Sequence, residues 1–117
     1  MNIEEIRAYC LALKNTTESF PFDDQSLVFK VDEKMYLLLP LEAVDPSITV
    51  KCEPEKAEEL RARYNAVEPA YHFNKKHWNS ILLNSDMTNQ EIKTWIDHSY
   101  WEVIRKLPKK KQQEYGL

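Results

Sequence analysis

Glycine is almost missing from this chain: Gly116 is the only one in 117 residues. That excludes the phosphate-cradling loops of P-loop and dinucleotide-binding proteins, whose tight turns and close backbone approach need several glycines. Long apolar runs are missing too. No stretch reaches the roughly 18 apolar residues that a spanning helix requires, so no membrane span is expected. Met1-Asn2-Ile3-Glu4-Glu5 carries acids where a secretory signal carries basic charge and then an apolar stretch, which gives the expectation of a soluble, cytoplasmic protein. Cysteine is scarce as well. Cys10 and Cys52 are far apart in helix-like and strand-like contexts, so buried free thiols are expected rather than a disulfide or a metal site. No repeat or low-complexity segment occurs.

Core-forming residues are well represented. Hydrophobic residues make up 43% of the chain and aromatics 11%, enough to close one core, so residues 1–117 are expected to form a single domain. The formal net charge is −3, and an acidic total works against indiscriminate nucleic-acid binding, which is driven by phosphate neutralisation. The total conceals a segregation. Residues 1–60 hold 6 Lys+Arg against 13 Asp+Glu, whereas residues 61–117 hold 10 against 6. The chain therefore presents a basic face unless its halves interleave in space.

Asn2 followed by Glu5 is a capping box, and Ile3, Ile6, Cys10 and Leu13 recur on one helical face, predicting a first helix that ends near Lys14. Asn15 to Ser19 reads as turn chemistry. Phe20-Pro21-Phe22 is an aromatic anchor for a loop whose Asp23-Asp24 pair is solvated. Alternation in Leu27–Val31 and an apolar run in Lys34–Leu39, separated by Asp32-Glu33, predict a hairpin, and Ser47–Cys52 adds a third strand. Glu53-Pro54-Glu55 opens a second helix, with Ala57, Leu60 and Tyr64 inward and Arg61 and Arg63 where the dipole favours cations. Glu68-Pro69 breaks the chain. Trp78–Asn84 reads as a further strand, and Thr88 with Glu91 caps a last long helix running to Pro108. Residues 109–117 are expected as a loose basic tail or a short C-terminal helix. The order α-β-β-β-α-β-α makes this an α+β chain.

Before that last strand lies Tyr71-His72-Phe73-Asn74-Lys75-Lys76-His77-Trp78-Asn79, in which cations, amides and aromatics interleave. Core packing does not call for this composition, because paired lysines seldom bury, and aromatics among cations suit an anionic or stacking partner. The stretch closely resembles the Y-H-x-N-K-x-H-W-N signature of the MmcQ/YjbR family. Other segments match that family in order: Glu18-Ser19-Phe20-Pro21-Phe22, Ile48-Thr49-Val50-Lys51-Cys52, Leu60-Arg61-Ala62-Arg63-Tyr64, Asp97-His98-Ser99-Tyr100 and Leu107-Pro108-Lys109-Lys110. The resemblance implies a two-layer fold, a curved antiparallel sheet with helices packed on one side, similar to CyaY-like and secretion-chaperone-like arrangements. It also implies DNA binding through a double-wing motif. The sequence departs from the family pattern at Asp23-Asp24, where glycine usually follows Pro-Phe, and at Asp32-Glu33, a hairpin tip commonly rich in glycine. Acids at a wing tip repel phosphate.

The leading functional reading is a non-catalytic protein that binds duplex or single-stranded DNA with modest, salt-dependent affinity. Lys51, Lys75, Lys76, Lys109 and Lys110 would neutralise phosphates, with His72 and His77 on the same surface. Asn74 and Asn79 would donate hydrogen bonds, and Trp78 or Tyr71 would stack on an unpaired base. The alternative is a protein- or peptide-binding adaptor that uses an exposed face of the sheet or a dimer surface, anchored by Trp78, Trp95, Trp101 and the tyrosines; the chain itself is expected as a monomer or weak dimer. A third reading builds a small-ligand or metal site from His72, His77 and His98 with Tyr71 or Tyr100, although His72 and His77 lie five apart in a loop, a spacing without a strong metal precedent. No cofactor, metal or membrane partner is expected.

Overall fold

Asn2 caps the first helix, α1 (Ile3–Leu11): its side chain accepts from the Glu5 N–H at 2.8 Å, while the Glu5 carboxylate accepts from the Asn2 N–H at 3.1 Å. The computed structural model describes residues 1–117. Ile6 and Cys10 turn inward. The helix stops at Leu11, short of Lys14, and the chain reverses through Asn15, whose φ of 60° is a left-handed position that asparagine tolerates.

The next residues overturn the turn reading. Thr16–Ser19 is a strand, β1, paired antiparallel with β2 (Ser26–Val31). Two β-branched threonines suit an extended edge. Thr16 Oγ1 lies 2.9 Å from the Tyr36 hydroxyl, and Arg7 grips Glu18 through Nε and Nη2 at 2.9 to 3.1 Å. β2 and β3 (Lys34–Pro40) form the predicted hairpin. Its tip, Asp32-Glu33, has φ values of 50° and 64°, the two left-handed positions of a type I′ turn.

β4 (Ser47–Lys51), α2 (Pro54–Arg63), β5 (Val67–Pro69), β6 (Trp78–Leu82), α3 (Asn89–Ile104) and α4 (Lys109–Gln113) complete the chain. β5 is a second departure from expectation. Glu68-Pro69 ends a short edge strand, where proline's missing N–H leaves no ladder bond unmade. All pairings are antiparallel in the order β1-β2-β3-β4-β6-β5. The α+β order read from the sequence holds, with one short strand added at each edge.

The helices cover one face of this sheet. Phe29, Leu37, Leu39, Ile48, Val50 and Ile81 meet Ile6, Leu60, Ile92, Ile96 and Ile104 there, and burial of each such side chain stabilises the fold by about 1.5–3 kcal/mol. β3 and β4 pair only through Leu37–Val50 and Leu38–Thr49. Beyond them the buried Ser99 of α3 inserts: its hydroxyl donates to the Tyr36 carbonyl and accepts from the Lys51 N–H at 2.8 Å. The helix thus supplies partners that the ladder does not.

The opposite face is only partly bare. Val28, Leu38, Thr49 and Ser80 form one row across β2, β3, β4 and β6, yet Val28 is 0% exposed and Thr49 only 8%. Phe22 and Asp23 stand at one side of this row and His72 and Phe73 at the other. Cover on both faces explains why β3 reads as an apolar run without alternation.

Residues 109–117 are held in place, unlike a loose tail. Tyr115 packs against Tyr100 with ring centroids 6.3 Å apart, and the Gln112 side-chain amide donates to the Leu107 carbonyl at 2.7 Å. Cys10 and Cys52 are buried free thiols, as expected, and burial pushes each up to about 12. No helix is long and apolar enough to cross a membrane.

Candidate nucleic-acid interface

The segment between β5 and β6 is a tight turn built on its own hydrogen bonds. The Asn74 carbonyl accepts from the His77 and Trp78 N–H groups at 3.0 Å each, and Asn74 Oδ1 accepts from the Lys76 N–H at 3.0 Å. The Cys52 N–H donates to the His77 carbonyl at 2.7 Å, which fastens the turn to the end of β4. Asn74 shapes the loop through its side-chain oxygen, as asparagine commonly does in turns.

Arg61 fastens the same segment to α2. Its Nε donates to Asn79 Oδ1 at 2.7 Å, and its Nη2 donates to the Trp78 carbonyl at 3.4 Å and to the Lys75 carbonyl. Asn79 is 0% exposed, and its Nδ2 donates to the Ala57 carbonyl at 3.4 Å. The expectation that Asn79 donates to phosphate or base edges is therefore corrected: the side chain is enclosed between β6 and α2, and its partners are already in place. Dipole pairing alone does not account for Arg61, which sequence reasoning placed only there. The available signal was its position one helical turn after the inward Ala57, which puts it on the edge of the same helix face.

With the loop so fixed, Lys75, Lys76 and His77 face Arg61, Glu58 and Pro54 across a recess of about 500 Å³. Lys75 Nζ sits 4.9 Å from the centroid of the Tyr71 ring, a cation–π contact, and Tyr71 is itself 66% exposed. The other flank of the loop behaves differently. His72 and Phe73 turn to the open face of the sheet, where the Phe73 ring lies 5.4 Å from that of the half-buried Trp78, itself opposite Lys51 in the register. His72 and His77 thus line different cavities and do not converge on one site.

Lys109 and Lys110 are not brought to this loop. α4 sits by the β1–β2–β3 end, where Lys111 Nζ lies 3.8 Å from Asp32, the Lys14 ammonium donates to the Glu114 carbonyl and Asn15 donates to the Tyr115 hydroxyl at 3.1 Å. The sheet order then interposes β4 between that end and β6. His98 is structural: its Nε2 accepts from the Glu53 N–H at 3.1 Å and so satisfies the first turn of α2, which has no side-chain cap of its own. Burial lowers its pKa, opposed by the carboxylate of Glu102 at 3.8 Å.

This loop and the strands on both sides of it fall within a match to the YjbR family model over residues 11–102. The chain belongs to the YjbR family. It is 29% identical to the YjbR protein of Escherichia coli K12 over 113 residues, covering 97% of this chain and 96% of that one. It is 28% identical to YbdF of Escherichia coli O157:H7 over 110 residues, covering 94% and 90%. A crystal structure of the DUF419-domain protein DR2400 of Deinococcus radiodurans superposes with a TM-score of 0.92 at 34% identity, covering 99% of this chain and 88% of that one. A Pseudomonas syringae protein superposes at 0.75 with 29% identity, covering 87% and 98%. The YjbR match ends inside α3, so Lys109 and Lys110 lie outside the matched region.

Proposed function

We propose that this YjbR-family chain binds short single-stranded nucleic acid through the loop between β5 and β6. The observation that carries the reading is the recess itself: Arg61, Lys75, Lys76 and His77 face a single carboxylate, Glu58. A backbone phosphate meets Lys75 and Lys76 there, while a base stacks on the exposed Tyr71, whose ring Lys75 already polarises from 4.9 Å. Arg61 holds the loop, and His77 adds a further hydrogen-bond donor. No bond is made or broken.

Two features favour a single strand over a duplex. The β2–β3 hairpin, the natural wing, ends on Asp32-Glu33; Lys111 pairs with Asp32 at 3.8 Å, but Glu33 has no ion-pair partner and repels the phosphates of a long duplex contact. The recess also holds only Arg61, Lys75 and Lys76 as cations beside His77, and the net charge of −3 gives no broad field to hold a duplex. The adaptor reading draws less support, because Trp78, Trp95 and Trp101 are half-buried and engaged with Phe73, His98 and Tyr100 rather than free as anchors. Fluorescence polarisation with labelled single-stranded DNA, single-stranded RNA and duplex DNA at low salt tests the proposal. Saturable binding of a single strand in preference to the duplex is expected, and no single-strand binding at low salt would sink it.

A further inference from the structure

The open face of the sheet carries a second cavity, a groove of about 560 Å³. Its floor is made of two neighbouring side-chain rows, Ser26, Pro40 and Ser47, then Leu38, Thr49 and Ser80. Phe22 and Asp23 wall one side, and His72 and Phe73 the other. The volume falls within the range of about 300–1,000 Å³ usual for small-ligand sites.

We infer that this groove seats one unpaired nucleobase, taken as an uncharged planar ring. The inference extends the nucleic-acid reading: the lysine recess takes phosphate, and the groove takes a base. Three observations select such a ring. The hydroxyls of Ser47, Thr49 and Ser80 make no hydrogen bond within the chain, yet no buried side-chain polar atom lacks a partner. Those hydroxyls therefore remain accessible from the groove, and each can both donate and accept, as the mixed edge of a base demands.

The walls are aromatic and differently disposed. Phe22 is 64% exposed, and the Phe73 ring packs against that of Trp78 with centroids 5.4 Å apart. A flat ring laid against either one covers apolar surface that the chain alone leaves wet. No lysine or arginine lines the groove, and its one carboxylate, Asp23, already accepts from the Gln25 and Ser26 N–H groups at 2.9 and 2.7 Å. The groove is thus built for a neutral partner, in contrast to the recess across the loop. A peptide strand adding to this sheet would pair at its β1 or β5 edge instead of lying across the middle of its face.

Free nucleosides carry the ring without phosphate and so separate the two cavities. Titrating the full chain with adenosine, cytidine, guanosine and thymidine, followed by amide and aromatic NMR shifts, should give saturable changes at residues 22–26, 47–49, 72–73 and 80 for at least one nucleoside. Phe22→Ala, a change at an exposed loop position, should weaken that binding about tenfold. Lys75→Glu/Lys76→Glu should leave it unchanged. No saturable shift with any nucleoside, shifts that map elsewhere, or an unaffected Phe22→Ala variant would overturn the inference. Loss of oligonucleotide binding in the lysine variant with intact nucleoside binding would support both sites separately.

Discussion

Arg61 reaches from α2 to Asn79 Oδ1 and to the Lys75 and Trp78 carbonyls, so one half-buried side chain sets where the loop sits relative to the helix. A charge-assisted bond to a buried amide is worth more than an ordinary one, because its loss leaves the amide oxygen unpartnered. Arg61→Ala is expected to lower stability by about 2 kcal/mol in urea unfolding. Arg61→Lys should not restore it, since a single ammonium cannot span the fork of acceptors. A negligible change in the alanine variant would remove Arg61 from this role. His98 offers a pH-dependent counterpart. It faces Glu102, Lys56, Arg105 and Glu53, and burial holds its folded pKa below the ordinary value near 6.5. As pH falls through that ordinary value, the unfolded chain takes up the proton before the folded one does, so this contribution to stability is full above about pH 7 and is lost toward the folded pKa. Urea midpoints should fall more between neutral and mildly acidic pH in the parent than in His98→Gln.

At the scale of elements, the β2–β3 hairpin carries a visible cost. Asp32 and Glu33 both occupy left-handed backbone, at φ 50° and 64°, without a glycine between them. Glu33→Gly should raise stability by about 1 kcal/mol in urea unfolding, because a type I′ turn favours glycine at its second central position. No gain would mean that the glycine's added freedom in the unfolded chain offsets the relieved strain. What is legible in the sequence follows the same local logic. The capping boxes at Asn2–Glu5 and Thr88–Glu91 are short-range signals, and both helices begin where those residues place them. β1 and β5 are not legible because an edge strand exists only through its partner. Thr16–Ser19 needs β2, and Val67–Pro69 needs β6, to be anything but turn and break. The roles of Asn74 and Asn79 escape sequence reasoning for the same reason: their composition suggests ligands, while their bonds run to Lys76, Arg61 and Ala57.

Across the whole molecule, the charge segregation of the sequence is partly undone by the fold. α4 brings its lysines to the hairpin end, where Lys111 lies 3.8 Å from Asp32 and 4.0 Å from Glu114. Lys75 and Lys76 have no such carboxylate within ion-pair range, and His77 joins them at the recess. A small cationic site on an acidic chain therefore remains, suited to a few phosphates and no more. With about two contacts to a single strand, from Lys75 and Lys76, the logarithm of affinity should fall against the logarithm of salt with a slope of about −1.4. The most direct measurement is a polarisation titration of a short single-stranded oligonucleotide over a salt series, for the parent chain and for Lys75→Glu/Lys76→Glu. That slope in the parent, with binding at least about tenfold weaker and nearly salt-independent in the variant, is the predicted result. Equal affinity and equal slope in the two proteins would contradict it.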